Sequence, residues 1–332
     1  LSGKIFYHSL LNADNGLRSE FLSEVDKYID DLLDNDDDFT QKLGLNIGDD
    51  YLSMIKDKEY KKLDIDDSLY KKYIPECVDE EHKYAYLVLF QSIRITALMH
   101  DLGHPPFSHV AEFALEEVFN KTIEKENYNN REKKFIEATS DYFDDDNDNP
   151  LHEAIGNKIS VKILFYLISQ DVDIKKEEDA KFQFFFWLIH KFTKNILNDL
   201  EEPLFFKNVH ELIDGSIDGD RLDYVSRDMI NSGFDVGKIE YDRLISSMKL
   251  MKDKEKNKKD YLFCPRLKTI NTIEDYFQRR WKLYKYILYH HRVSKTDALL
   301  KESIIEVSLD YLSKDFEEED SDDKSLVLPS SI

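Results

Sequence analysis

The sequence predicts a mainly α-helical protein. Apolar residues recur at helical spacing from Lys83 to Met99, and the same spacing returns between Leu151 and Ile168. Strand and helix patterns do not alternate along the chain, and its ten glycines form neither a phosphate-binding loop nor a dinucleotide-binding fingerprint. These observations favour a helical core over a doubly wound sheet.

The composition is that of a folded protein without a membrane segment. Of the 332 residues, 41% are hydrophobic and 13% are aromatic, which is enough for a sizeable core. No apolar run approaches the roughly 18 residues of a membrane helix, and the chain does not begin with a basic and then apolar secretory segment. Cys77 and Cys264 form no disulfide framework or metal spacing, so a cytoplasmic location is expected. Leu1 is not an initiator methionine, which indicates a processed or trimmed product.

The net charge of -22 argues against binding of extended nucleic acid, since contacts to a phosphate backbone need a broad basic surface. It does not exclude a small anionic substrate, which needs only a metal ion and a few cations inside a cleft. The acidic runs are predicted to be solvated loops or tails. Within a single domain, 1–332, we expect a charged helical insertion at 26–81, a mobile acidic loop at 120–150 and an acidic tail at 313–332.

Three of the ten histidines lie within ten residues, between positions 100 and 109. The apolar spacing of the preceding helix brings His100 onto the buried stripe at the helix end, with Asp101 beside it. An imidazole nitrogen and a carboxylate oxygen suit first-row divalent metals. A buried hydrogen bond between the two side chains would give the same pair, so the pair alone leaves both interpretations open.

A rigid corner is predicted directly after this pair. Gly103 and the Pro105-Pro106 pair are expected to stop the helix, and Ser108 is expected to cap a second helix from His109 to Phe119. The remaining two histidines of the cluster, at positions 104 and 109, would then lie on the corner.

The string His-Asp-Leu-Gly-His-Pro-Pro-Phe-Ser-His, residues 100–109, closely resembles the signature of the HD-domain metal-dependent phosphohydrolases. It is most similar to the branch that hydrolyses deoxynucleoside triphosphates. The resemblance implies an HD-domain helical core with an acidic helical insertion and C-terminal helical additions. It covers about residues 1–12, 83–119, 150–168 and 210–300.

Two further strings extend the resemblance to a metal site. Phe6-Tyr7-His8-Ser9 is similar to the first histidine motif of that branch, although the arginine usual before it is absent. Residues 217–228 are similar to its closing motif, Asp-x-Asp-basic-apolar-Asp-Tyr ending in Arg-Asp. The resemblance implies four metal ligands: His8, His100, Asp101 and Asp220. Without it, His8 is a surface histidine near a frayed terminus and the acidic string is an ordinary helix face.

The closing motif also implies substrate contacts. Tyr224 and Asp228 follow Asp220 by four and eight residues, so the three side chains share one face of a helix. The resemblance implies that Arg221 contacts phosphate, that Tyr224 stacks near the sugar and that Asp228 hydrogen-bonds the deoxyribose. The alternative is that Tyr224 packs in the core and Asp228 pairs with a neighbouring basic residue.

A histidine-glutamate pair opens the helix that begins at Leu151. His152-Glu153 resembles a pair that lines the active site of the triphosphohydrolases, although Glu153 alone would also suit a helix N-terminus. The resemblance implies proton transfer to the leaving 5'-oxygen by His109, with His104 and His152 stabilising charge on the phosphates.

Residues 265–301 carry a net positive charge, opposite in sign to that of the whole chain, because they include nine basic and three acidic residues. The segment resembles the phosphate-clamping helix of the family, with Arg280 as a partly buried cation and Tyr289 where a sugar or base contact is usual. Either Arg279 or Arg280 could hold the phosphate. Its predicted core face consists of Ile273, Phe277, Tyr284, Ile287 and Leu288. The alternative is an amphipathic helix with a solvated basic face.

Residues 182–200 are apolar enough to predict a helix buried nearly all round.

The resemblance implies hydrolysis of a deoxynucleoside triphosphate to deoxynucleoside and inorganic triphosphate. The expected cofactor is a divalent transition metal (Mn, Fe, Co, Ni or Zn), with Mg accompanying the nucleotide. A homo-oligomer is expected, and no membrane partner. Two alternatives stay open: an HD phosphodiesterase or nuclease with the same metal site, and a non-catalytic HD regulatory subunit of a larger assembly.

Overall fold

The computed structural model describes residues 1–35, 61, 72–143, 150–169, 177–198, 200, 202–234, 241–253 and 260–314. Twelve α-helices and one two-stranded sheet account for most of these residues. In chain order they are α1 (Ser2–Leu11), α2 (Asn15–Asn35), α3 (Lys83–Met99), α4 (His109–Ile123), α5 (Asn130–Phe143), α6 (Leu151–Ser169), α7 (Glu177–Leu197), α8 (Phe205–His210), α9 (Gly219–Asn231), α10 (Tyr241–Ser246), β1 (Met248–Lys252), β2 (Tyr261–Pro265), α11 (Ile270–Leu283) and α12 (His291–Ser313). The predicted fold class, mainly α, is confirmed.

The chain divides into two compact units, one comprising residues 1–99 and 160–283 and the other comprising 100–159 and 284–332. The boundary at residue 159 falls within α6. The prediction of a single domain over residues 1–332 stays a prediction, as do the insertion at 26–81 and the tail at 313–332, most of which lie outside the described residues.

The first unit is built around α3, which packs against α7, α1 and α2. Its apolar spacing predicts a helix from Lys83 to Met99, and the structure confirms these bounds. The hydroxyls of Ser92 and Thr96 donate to the carbonyls of residues 88 and 92, so the polar groups on this buried helix are satisfied within it. Phe6 of α1 stacks on Tyr86 of α3 with ring centroids 5.5 Å apart.

A short antiparallel hairpin completes this unit, with Leu250 of β1 opposite Phe263 of β2. Nothing in the sequence pattern predicted it. Met248 and Leu250 are buried on the face that packs against α1, and Asn12 donates from its side chain to the carbonyl of Met248 over 2.8 Å. The hairpin and α3 therefore both contribute to the burial of α1, whose Phe6 contacts Tyr86 and Phe263.

Two predicted burial patterns differ from the structure. On α7, Phe182 and Phe186 are 40% and 48% exposed and lie four residues apart on one face, so the helix is not buried all round. On α11 the buried residues are Thr272, Tyr276 and Leu283 rather than the predicted face. The exposed fraction of Phe277 is 42%, because Tyr276 takes the inward position beside it.

The second unit has a separate core between α4, α5 and α12. Its buried members are apolar residues of these three helices: Ala114, Val118, Phe119, Phe135, Ile305 and Leu312. The region 120–150 was predicted to be a loop, but α4 continues to Ile123 and residues 130–143 form α5, because Phe135 and Thr139 are buried on one face of that helix. The acidic residues 144–149 lie outside the described residues.

The structure contains, in its described part, no helix that is both long enough and apolar enough to cross a bilayer.

Gly103 is required where the chain turns after α3. A Cβ atom at this position would lie 1.9 Å from the carbonyl oxygen of His152 and 2.4 Å from the backbone nitrogen of Gly156. The turn continues through Phe107 and Ser108, which have φ angles of 69° and 51°. Only a glycine at 103 lets this turn lie against the first turns of α6.

We expect Gly103→Ala to lower the free energy of unfolding by roughly 1–3 kcal/mol or more, because the added methyl group overlaps backbone atoms that cannot rotate away. Thermal and urea unfolding would measure the loss. Gly16→Ala is the matched control, since a Cβ there meets nothing within 4 Å. Removing this glycine from α2 should leave stability unchanged or raise it by about 0.4–1 kcal/mol. Equal effects of the two substitutions would contradict the close packing at Gly103.

Candidate catalytic and metal-binding centre

The predicted corner forms between α3 and α4. Helix α3 ends at Met99 and α4 begins at His109, as the glycine and proline residues between them predict. The predicted cap is wrong in one respect. Ser108 precedes α4, but its side chain makes no capping hydrogen bond. Its φ of 51° is not the extended conformation of a capping residue, and its hydroxyl lies 3.3 Å from His104 Nδ1 instead.

Three histidines from separate parts of the second unit converge on one carboxylate. Glu112, in the first turn of α4, is only 7% exposed. Its Oε1 lies 3.0 Å from His104 Nδ1, and its Oε2 lies 3.0 Å from His152 Nδ1 and 3.4 Å from His109 Nδ1. An ionised carboxylate only accepts hydrogen bonds, so each Nδ1 must carry its proton toward Glu112.

The three imidazole rings also pack against one another. His104 and His152 stack with centroids 3.9 Å apart and an interplanar angle of 12°, and His109 meets His104 edge-on at 4.9 Å. Because Glu112 engages the Nδ1 atoms, the Nε2 atoms are left to accept or donate a proton, or to bind an anion or a metal ion. The contacts to Glu112 therefore fix the orientation of all three imidazole rings.

The electrostatics of Glu112 follow from these contacts. Burial by itself would raise the pKa of the carboxyl, but the hydrogen bond and charge of His152, and the hydrogen bonds of His104 and His109, outweigh burial and hold the pKa below its usual 4.5. A lowered pKa means that Glu112 contributes to stability above the pKa of the unfolded chain. This contribution is lost as the pH falls through the pKa of the folded protein.

The protein has histidine and carboxylate groups that could hold a metal ion. The ligand atoms of His104, His109, Glu112 and His152 all lie within 4.8 Å of one another. His100 and Asp101, predicted to be metal ligands, are also adjacent in the second unit, with Nε2 and Oδ2 separated by 3.3 Å. The other two predicted ligands, His8 and Asp220, belong to the first unit. The four-ligand set therefore stays a prediction.

Asp220 occupies the first turn of α9, and the residue before this helix fixes its start. Asp218 is fully buried and accepts hydrogen bonds from the backbone nitrogens of Arg221 at 2.6 Å and Gly215 at 2.9 Å. Burial raises the pKa of Asp218 to about 6, although the backbone hydrogen bonds and the charge of Arg221 act in the opposite direction. Gly219 allows a close approach, since a Cβ there would lie 2.2 Å from Ser2 Oγ.

The other substrate residues predicted on α9 occupy defined positions. Arg221 donates from its guanidinium to Asp218 at 3.0 Å and to Asp214 at 2.7 Å, so it is held in one orientation. Tyr224 and Asp228 are half-buried, one and two turns beyond Asp220. Asp228 Oδ1 also lies 3.6 Å from Arg227 Nε, in keeping with the alternative of a local ion pair.

The first predicted ligand, His8, lies on α1 of the first unit. It is half-buried on α1, where burial and the nearby Lys4 ammonium lower the pKa of its imidazole against the opposing effect of Asp242. Across the described ranges, no group of three or more potential metal-ligating side chains includes His8. It lines a cavity together with Lys4 and Asp242, and its role as a metal ligand stays a prediction.

The predicted phosphate-clamping segment is divided between the units. Arg280 is half-buried in the last turn of α11, in the first unit. A π-helical turn from Tyr284 to Leu288 follows in the second unit, and the next residue, Tyr289, is 71% exposed. Glu153, in the first turn of α6, has its Oε1 4.0 Å from His152 Nε2.

Sequence reasoning missed Glu112 and Asp218. Glu112 stands three residues after His109, which is the spacing of neighbours on one helix face, and this was the available signal. Asp218 stands immediately before the helix that carries Asp220, which is the position of an N-cap residue.

We expect Glu112→Gln to change the tautomers of the histidine cluster. A neutral amide must donate where the carboxylate only accepted, so at least one imidazole has to give up its Nδ1 proton. Imidazole nitrogen chemical shifts would report this change directly. The free energy of unfolding should fall by roughly 1–3 kcal/mol, because hydrogen bonds to a buried charge are lost. Unchanged nitrogen shifts would contradict the role assigned to Glu112.

The chain is distantly similar to two proteins that are themselves described as uncharacterized. No protein-family model matches it. It is 25% identical over 213 residues to an uncharacterized protein of Methanocaldococcus jannaschii, a match that covers 64% of this chain and 33% of the relative. It is 24% identical over 211 residues to an uncharacterized protein of Mycoplasma pneumoniae, covering 63% of this chain and 40% of the relative. The chain thus spans between a third and two fifths of the length of these relatives, and the HD-domain resemblance stays a prediction.

Proposed function

We propose that this protein is a metal-dependent phosphohydrolase that converts a deoxynucleoside triphosphate to deoxynucleoside and inorganic triphosphate. The observation that supports the proposal most strongly is the convergence of His104, His109 and His152 on Glu112. A cluster built only for packing would not need three imidazoles on one buried carboxylate. Such a cluster suits a reaction that needs positive charge and a movable proton beside a polyanion.

The reaction consumes water and breaks one bond to phosphorus. The oxygen of a water molecule attacks the α-phosphorus, the bond from phosphorus to the 5'-oxygen breaks, and a proton must reach that oxygen. We assign this transfer to His109, which is the most exposed of the three histidines. A positioned imidazole typically accelerates such a step about 100- to 10,000-fold.

His104 and His152 stabilise charge on the phosphates rather than transfer the proton. His104 and His152 donate from Nδ1 to Glu112, which leaves their Nε2 atoms to contact the phosphates. Arg221 and Arg280 would offset further charge on the phosphates, which is the main protein contribution when the transition state is loose.

We propose His100, Asp101 and Asp220 as the metal ligands, because the sequence motifs that carry the resemblance contain all three. The metal ion would polarise a phosphate oxygen and orient the water. His8 is the fourth ligand that the resemblance implies, from the motif Phe6-Tyr7-His8-Ser9.

We expect Asp101→Ala to remove bound transition metal and turnover together, because a carboxylate ligand contributes charge as well as a bond. Elemental analysis of the purified protein and a chromatographic assay for inorganic triphosphate and deoxynucleoside would measure the two effects. His8→Ala tests the fourth predicted ligand, since unchanged metal content there would show that this ligand lies elsewhere or that the site has only three protein ligands. Asp310→Ala, which removes an exposed carboxylate paired with Lys314, should change neither quantity. Full activity in metal-free Asp101→Ala protein would contradict the proposal.

The products of the same assay separate this function from its alternatives. Incubation with each dNTP, each NTP and single-stranded DNA should yield inorganic triphosphate from dNTPs alone. Release of pyrophosphate or nucleoside monophosphates would favour a phosphodiesterase or nuclease. No product from any substrate, in protein that retains its metal, would favour a regulatory module.

A second prediction concerns discrimination between deoxyribose and ribose. If Asp220 holds the metal, Tyr224 lies one turn further along α9, where its ring would pack beneath C2' and leave no space for a hydroxyl group. We expect Tyr224→Ala to relax the preference for dNTPs about tenfold, while Tyr224→Phe, which keeps the ring, retains it. Asp228→Ala should slow turnover of all dNTPs about ten- to a hundredfold through loss of a charged hydrogen bond. A ratio of dNTP to NTP turnover that does not change in folded Tyr224→Ala protein would exclude this role.

A further inference from the structure

The first unit contains a cavity of about 910 Å³ bounded by α1, α3, α10 and the residues before α3. A volume of this size lies within the range of small-molecule sites. Its wall carries four side chains that are positively charged at neutral pH, at Lys4, Lys72, Arg94 and Arg243. His100 and Asp101, which belong to the proposed reaction centre, are not among its lining residues.

The wall of the cavity is net positive, whereas the chain as a whole is net negative. Acidic residues outnumber basic ones by 68 to 46 in the sequence, whereas Asp242 is the one carboxylate among the residues that line the cavity. Asp242 Oδ1 lies 3.8 Å from Lys4 Nζ, and the two side chains are 98% and 66% exposed. So exposed a pair neutralises little of the positive charge, because water screens it.

Arg94 is positioned at the cavity by its packing. Its Cζ atom lies 5.4 Å from the ring centroid of Tyr73 and 5.7 Å from that of Phe90. Its Nη1 donates to Gln91 Oε1 at 3.0 Å. A Cβ atom on Gly3 would lie 2.9 Å from Arg94 Cγ, so the glycine is what allows the arginine stem to lie against α1. One planar guanidinium therefore lies beside two aromatic rings that stack on each other at the wall.

A second cation lies beside the ring of Tyr73. Lys72 Nζ lies 6.0 Å from the centroid of Tyr73, so an ammonium and a guanidinium lie beside one aromatic side chain. His8 and Tyr7 add groups that can donate a hydrogen bond on the α1 side of the cavity. The cavity is thus lined both by a guanidinium that is positioned by its packing and by the more flexible donor groups of Lys72, Tyr7 and His8.

We propose that this cavity is a binding site for a small phosphate-bearing anion, separate from the reaction proposed for the protein. A guanidinium fork matches two oxygens of a phosphate group, and ammonium groups on long stems can follow the remaining oxygens. The net positive charge of the wall favours anions over cations. The proposal does not depend on the triphosphohydrolase activity.

Isothermal titration calorimetry with inorganic pyrophosphate, on the full chain, tests the site. Arg94→Gln should weaken binding about tenfold or more, because a charged hydrogen bond is lost. Lys72→Gln, at an exposed position, should weaken binding about two- to fivefold. Asp242→Asn should strengthen it by a similar factor, since the one carboxylate on the wall is removed. Lys268→Gln removes an exposed cation that does not line the cavity and should leave binding unchanged.

The gain expected for Asp242→Asn keeps the test decisive even if Arg94→Gln fails to fold. Lys72 and Asp242 are both exposed, so their substitutions should preserve the fold, which circular dichroism would verify. Binding that is absent in the wild type overturns the proposal. So does affinity that is equal in the wild type, Lys72→Gln and Asp242→Asn, because pyrophosphate would then be bound elsewhere on the protein.

Discussion

The hydrogen bonds of three imidazoles to Glu112 are the constraint on which the candidate centre depends. Glu112 comes from α4, His104 from the corner before it and His152 from α6, so one buried carboxylate fixes the orientation of side chains from three segments. A buried anion without partners would be costly, and three donors offset that cost. The same bonds determine which ring nitrogen faces outward, and so determine the chemistry open to the cluster.

The helices were predictable where local signals agreed with burial. Apolar spacing and the glycine and proline residues after Met99 gave the bounds of α3 and the start of α4. The β-hairpin was not predictable, because β1 consists of Met, Lys and Leu rather than β-branched residues. Its two faces are distinguished only by packing on α1, a contact that local sequence does not encode.

The candidate centre was predictable only in part. The histidines near position 100 are conspicuous because they lie close together in sequence. Glu112 looks like any glutamate of an acidic helix until His152, 40 residues further on, is seen beside it. Asp218 is similar, since an N-cap becomes visible only when the first residue of the helix is known. Residues whose role comes from distant partners are the ones that sequence patterns fail to single out.

The close packing of Gly103 against the backbone of His152 and Gly156 has a consequence for cooperativity. The corner that carries His104 and the turn that carries His152 share one interface with no space for a side chain. Opening of the first turn of α6 would therefore release the corner and withdraw an imidazole from Glu112 in the same event. Local fluctuations of this kind would not leave a partly assembled cluster, so the centre should exchange its amide hydrogens as one unit.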